Sequence, residues 1–291
     1  MQGADTIAHR SHDGVFRALF LVTKAQINVL CLHRVLLFKL HPTRKPHRGR
    51  SGGDTVEQIG LGGYPQCKQP GQRVATQNDF DVFRETKLLL QMTGEHELQS
   101  MDDEVAAIAQ SNRKYLFAAI PAESWNDALS PWEAPAVWGK QGFGGKAADT
   151  LCFLTEQVIS TLKRQYPLPE NVKIILGGYS LAGLFALWAS TQTNLFYGIA
   201  AASPSVWFPE WMKFEQQHPI QAQRVYLSLG NKEEHTKNAV MAAVGDNIRT
   251  LHSRLAERGA DCTLEWNSGG HFKNADLRTA KAFRWAMEES R

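Results

Sequence analysis

The chain has 291 residues, 43% of them hydrophobic and 21% charged, with 14 Phe and 8 Trp. That composition excludes disorder across the whole chain, collagen-like repeats and a disulfide-stapled miniprotein, and the length suffices for a substantial buried core. Residues 1–70 hold 10 of the 32 Lys and Arg but only 4 of the 29 Asp and Glu, leaving a mildly acidic body whose charge argues against nucleic acid as its main ligand.

The predicted elements begin late. Val15 to Leu40 is apolar-rich but broken by Arg17, Lys24, Arg34 and Lys39, so no run reaches the roughly 18 residues of a membrane span. It also lacks the continuous apolar stretch and small-residue cleavage site of a secretory signal. His41 to Gly53 reads as a basic, Pro/Gly-rich linker. We read residues 1–70 as a basic N-terminal extension without a fold of its own, with a targeting presequence or a basic binding arm as the alternatives. Residues 71–291 form the folded domain.

Within that domain Lys87–Met92 reads as a buried strand, and Glu95–Gln110 has helical spacing through Leu98, Met101, Val105 and Ile108. Tyr115–Ile120 is a second buried strand. A Trp/Pro-rich loop follows to about Gly145, then a helix that Pro167 and Pro169 terminate after Tyr166. Val172–Leu176 predicts a strand and Leu181–Ser190 a helix. Further strands are expected at Phe196–Ala201, Arg224–Leu229 and Thr263–Trp266, with helices at Lys237–Arg258 and Asn274–Glu289 after the last two. Strands alternating with helices imply an α/β fold with a mostly parallel central sheet covered on both faces.

Chemistry concentrates at Gly177-Gly178-Tyr179-Ser180-Leu181-Ala182-Gly183, where an apolar strand meets an apolar helix. That is the setting of a nucleophile elbow, whose tight turn demands small residues two positions either side of the serine. Gly178 and Ala182 meet the demand. The turn would lift Ser180 out of the sheet, with the Leu181 backbone N–H aimed at a developing oxyanion. A serine nucleophile needs a base. His271, on the glycine-rich loop Gly269-Gly270-His271-Phe272 after the last strand, suits it best of the ten histidines. The acid should follow Arg224–Leu229, where Glu233 is the choice and Glu234 its rival. Two other leads fail. Gly139–Lys146 misses the phosphate-loop pattern at both ends. No spaced His/Asp set or Cys pair suggests a metal, and the four scattered cysteines demand no oxidising compartment, so the expected setting is cytoplasmic.

Ser180, Glu233 and His271 in that order, with Ser203-Pro204-Ser205-Val206-Trp207 after the next strand, resemble the putative-esterase family of α/β-hydrolases. That family includes siderophore esterases, feruloyl esterases, S-formylglutathione hydrolases and mycolyltransferases. The resemblance spans about residues 80–289, and Ala182 is its one mild departure from G-x-S-x-G. It implies an α/β-hydrolase fold, no cofactor, and a second oxyanion donor after the strand at Tyr115–Ile120, supplied by Ala122 or Glu123. Trp125, Trp132 and Trp138 in the long loop, Trp207 and Trp211 beyond, and Tyr179 beside the serine are candidates for binding an apolar or aromatic substrate group; packing as a satellite core is the indoles' other use. The function read from all this is a serine esterase acting on small-molecule carboxylic esters, with thioesters as a further class. An acyltransferase or peptidase with the same triad, and a non-catalytic binding protein on this fold, are the alternatives.

Overall fold

The computed structural model describes residues 35–37, 85–137 and 139–289. The expectations for most of the N-terminal extension, and Trp138, lie outside these residues. Five strands carry the sheet's interior, each nearly continuous in apolar residues because both faces are covered: β2 (Lys87–Thr93), β3 (Tyr115–Pro121), β6 (Ile174–Tyr179), β7 (Phe196–Ala202) and β8 (Arg224–Gly230). Strand β9 (Asp261–Asn267) closes one edge, and the short β1 (Val35–Leu37), from within the extension, pairs with β3 at the other. The order is β1-β3-β2-β6-β7-β8-β9, with every pairing among these seven strands parallel. The mostly parallel sheet expected from the sequence is present.

Alternating side chains divide between two cores. Leu88, Leu90 and Met92 face one side, where they join α4 (Leu181–Gln192) and α6 (Val244–Glu257). Leu89, Phe117 and Ile175 face the other, packed under α1 (Met101–Ala109) and α7 (Ala275–Met287). Helix α4 is buried from Leu181 through Thr191, which its apolar circumference requires. Helix α6 instead buries one stripe, Val244, Ile248, Leu251 and Leu255.

Several predicted boundaries move for physical reasons. The strand expected at Val172–Leu176 runs on through Gly177 and Gly178, because both pair with β7 opposite Ala200 and Ala201. Glycine here serves close approach: a Cβ on Gly177 would stand 2.7 Å from Ala200 O and 2.8 Å from Phe283. The helix expected from Glu95 opens as a 3₁₀ turn, Glu95–Ser100, before α1 begins. The long loop contains α2 (Trp125–Leu129) and a small antiparallel ribbon, β4 (Glu133–Ala134) with β5 (Phe143–Gly144). The helix after it, α3, spans 147–165 with a π-helical turn at Leu154–Ile159. The segment read as one helix over 237–258 is a short turn, Ala239–Ala242, followed by α6.

The connectivity determines where a ligand can sit. Strands earlier than β6 lie to one side of it and later strands to the other, so β6 flanks the switch point at which open α/β sheets form a crevice beyond their carboxyl ends.

Candidate active site

Ser180 links β6 to α4 with φ 57° and ψ −119°, a left-handed conformation that costs a non-glycine residue about 1–3 kcal/mol. Neighbouring strands hold it there. Its N–H donates to Ala202 O at 3.0 Å, and its carbonyl accepts from Ser205 N and Leu184 N, each at 3.1 Å. The size limits read from the sequence are visible in space: a Cβ on Gly178 would lie 2.6 Å from the Ala182 Cβ. Ala182 is therefore tolerated because residue 178 is glycine.

Three sequence-predicted residues meet at this turn. Ser180 Oγ lies 2.9 Å from His271 Nε2, and His271 Nδ1 lies 2.6 Å from Glu233 Oε2. An ionised carboxylate only accepts, so Nδ1 carries the hydrogen and donates to Glu233, leaving Nε2 free to accept from the serine hydroxyl. Ser205 Oγ, 3.3 Å from Ser180 Oγ, completes the surroundings of the hydroxyl.

The other oxygen of Glu233 is also satisfied. Oε1 accepts from Gly230 N at 2.7 Å, Ser203 Oγ at 2.9 Å and Arg278 Nη1 at 3.2 Å. With its side chain only 6% exposed, this charge is both paired and hydrogen-bonded, as burial requires. Glu234 points elsewhere, to Arg249 at 2.8 Å, and that guanidinium lowers its carboxyl pKa. The sequence left Glu233 and Glu234 as rivals; the structure brings Glu233 to the imidazole.

Two expectations are corrected. Tyr179 does not line an open substrate surface. It is buried, its hydroxyl donates to His271 O at 2.5 Å and accepts from Arg278 at 3.0 Å, and burial raises its pKa. Its contact is with the histidine loop. The second correction concerns the oxyanion donor expected from Ala122 or Glu123. The Ala122 N–H is committed to Thr93 O at 2.9 Å. Strand β2 also stands between β3 and β6, so residues following β3 start two strand spacings, roughly 10 Å, from the serine's strand. The nearer loop follows β2. The last β2–β6 pair is Gln91 with Gly177, and the turns that begin at Gly94 and at Ser180 each follow three residues beyond it. Glu95 opens the 3₁₀ turn, a position whose N–H has no partner within its helix. Sequence reading did not single out this loop because strand order is not written in the order of the chain.

The indoles divide. Trp132 donates to Pro209 O at 3.1 Å and packs at a tilt against Phe208 and Phe214 at ring distances of 5.7 and 5.1 Å. Phe143 bridges Trp207 and Phe208 at 6.2 and 5.1 Å. These rings tie the long loop to the segment after β7 as a satellite core. Trp125 and Trp207 also pack partly buried against the main core, and Trp211 is fully buried. Phe272, the residue after His271, is 94% exposed, with its ring edge-on to the imidazole at 5.3 Å. No pattern in the sequence marks that exposure. Among the described residues no group of three or more His, Cys, Asp or Glu could hold a metal ion, and no helix is long and apolar enough to cross a membrane.

Fold and site together define an α/β-hydrolase. The model of the family described as Putative esterase matches residues 102–275, more than half of the 291, and the chain belongs to that family. The protein is thus an esterase. It is 26% identical over 185 residues to the uncharacterized protein YbbA of Bacillus subtilis, covering 59% of this chain and 73% of that one. Among solved structures it is similar to an IroE-like serine hydrolase from Shewanella oneidensis, with TM-score 0.57, 15% identity, and 68% of this chain and 69% of that one covered. It is also similar to the siderophore hydrolase EstA of Aspergillus nidulans, with TM-score 0.53, 18% identity, and coverage of 69% and 82%. At these identities the structural likenesses speak for the fold.

Proposed function

We propose that the protein hydrolyses carboxylic esters through Ser180, His271 and Glu233 by way of an acyl-enzyme. The observation that carries this is the continuous hydrogen-bonded chain from the buried Glu233 carboxylate through His271 to Ser180 Oγ. Ser180 attacks the acyl carbon while Nε2 takes its proton. Glu233 steadies the imidazolium, which then protonates the leaving alcohol, and water repeats the cycle on the acyl-enzyme. The tetrahedral oxyanion is met by the Leu181 N–H, first in α4, and by the Glu95 N–H. Thioesters present the same electrophile and belong to the proposal. The siderophore hydrolases among the structural neighbours make siderophore esters the first physiological candidates to assay.

Ser180→Ala should abolish hydrolysis of short p-nitrophenyl esters while circular dichroism stays that of the parent, and a fluorophosphonate should label the parent alone. Undiminished turnover by the alanine variant would overturn the assignment. Hydrolysis in the presence of added alcohols and amines, with ester and amide products quantified, separates an esterase from an acyltransferase; failure of the parent to label would favour a binding protein.

A further inference from the structure

Arg278, on α7 and only 4% exposed at its side chain, reaches the carboxyl ends of four adjacent strands. Its Nη1 lies 3.0 Å from Tyr179 OH at the end of β6, 3.4 Å from Ser203 Oγ after β7, and 3.2 Å from Glu233 Oε1 after β8. Its Nη2 donates to Ser268 O, after β9, at 3.2 Å. Space for it is reserved: a Cβ on Gly230 would stand 2.8 Å from Glu233 Oε1 and 3.1 Å from Arg278 Nη1.

We propose that Arg278 is a positioning residue for ester hydrolysis, acting through Glu233 and the His271 loop. The proposal rests on Ser180, His271 and Glu233 being the catalytic chain. The guanidinium binds Oε1 and leaves Oε2 to His271, so it fixes the rotation of the carboxylate as well as offsetting its charge. Through Tyr179, whose hydroxyl it also contacts, it grips the His271 carbonyl, so one cation holds both ends of the acid–base pair. The titratable groups in contact with Glu233 are His271 and Arg278; Tyr179 faces it through Arg278, and Glu234 is turned away to Arg249.

The test is a double-mutant cycle on p-nitrophenyl ester hydrolysis with Arg278→Gln, Arg278→Lys, Glu233→Gln and the double variant. Misplacing a catalytic group by about 1 Å costs on the order of 10²-fold, so Arg278→Gln should lower kcat about 10²-fold with little change in KM. Lysine restores the charge without the fork and should recover part of that loss. In the Glu233→Gln background the arginine change should cost several-fold less than in the parent, because the carboxylate whose charge and rotation it fixes is gone and its grip on the His271 loop through Tyr179 is what remains to lose. The low-field proton signal of His271 Nδ1–H should be present in the parent and lost or shifted in Arg278→Gln. Equal losses in both backgrounds with that signal unmoved would mean a purely structural arginine and overturn the proposal, as would a folded Arg278→Gln with parental kcat. If the glutamine variant does not fold, Arg278→Lys carries the same cycle with the same criterion. Ser180→Ala, assayed beside them, separates the two failures: parental activity there brings down the triad itself, whereas additivity with an inactive Ser180→Ala brings down only the role of Arg278.

Discussion

Replacing Glu233 by glutamine changes one oxygen to nitrogen, and the structure dictates which one. Three donors converge on Oε1: the Gly230 N–H, the Ser203 hydroxyl and Arg278. An amide turned with its NH₂ towards them would leave three buried donors facing a fourth, each unmet partner costing about 1–3 kcal/mol. The amide oxygen must therefore occupy the Oε1 position, and the NH₂ must face His271 Nδ1. A donor there makes Nδ1 the acceptor and moves the imidazole hydrogen to Nε2, which then presents a proton to Ser180 instead of a lone pair. A base held in the wrong tautomer loses on the order of 10³- to 10⁴-fold in kcat, as seen for the equivalent change in other serine triads. That corresponds to about 4–5.5 kcal/mol of barrier. Glu234→Gln breaks only a partly exposed pair with Arg249, so kcat should stay within about twofold and stability within about 1 kcal/mol. Steady-state kinetics on p-nitrophenyl acetate, with urea melts to verify folding, read both. A folded Glu233→Gln retaining more than about a tenth of parental kcat would refute the tautomer reasoning, since the loss expected is at least a hundred times larger.

Two further changes probe the surroundings of the triad. Glu95→Pro deletes one backbone N–H at the first position of its turn, where proline fits, and the extended Gly94 before it (φ −90°, ψ 162°) suits a following proline; kcat should fall about 10²- to 10³-fold while Glu95→Ala stays near the parent, and equal activities would remove Glu95 from the oxyanion site. Burial raises the pKa of Glu104 well above the usual carboxylate range, so its contribution to stability is full below its unfolded value, about 4.3, and is lost as pH rises towards the folded value; the melting temperature of Glu104→Gln relative to the parent should climb between pH 5 and pH 8, and a pH-independent difference would show that the group does not titrate as proposed.

The fold was legible because parallel strands buried on both faces advertise themselves as nearly continuous apolar runs, and KLLLQM, YLFAAI and RVYLSL are each of that kind. Boundaries were less so. Gly177 and Gly178 look like a turn in one dimension, yet they extend β6 because only glycine admits the Ala200 backbone and Phe283 so closely. The tryptophans stayed open for a related reason: indole is equally suited to lining a pocket and to joining two loops, and for Trp132 its partners decide for the second.

The site was legible to the extent that its geometry is local. The serine's turn spans five consecutive residues, so the demand for small side chains falls on adjacent letters of the sequence. Nothing comparable marks the loop after β2, proposed here to supply an oxyanion donor, which comes near Ser180 because β2 lies beside β6 although more than eighty residues separate the two strands. The same holds for Glu233 and Glu234, neighbours in the chain whose carboxylates part because three donors from β7, β8 and α7 await one of them and Arg249 the other. Arg278 is the extreme case. It touches the ends of four strands and reads, in sequence, as one more charge on an amphipathic helix. Buried charge is the feature that distinguishes such a residue, since a cation withdrawn from water persists only where anions and carbonyls repay its hydration. Function in this chain is therefore most visible where the backbone itself is constrained, and least visible where it depends on which strand ends the sheet brings side by side.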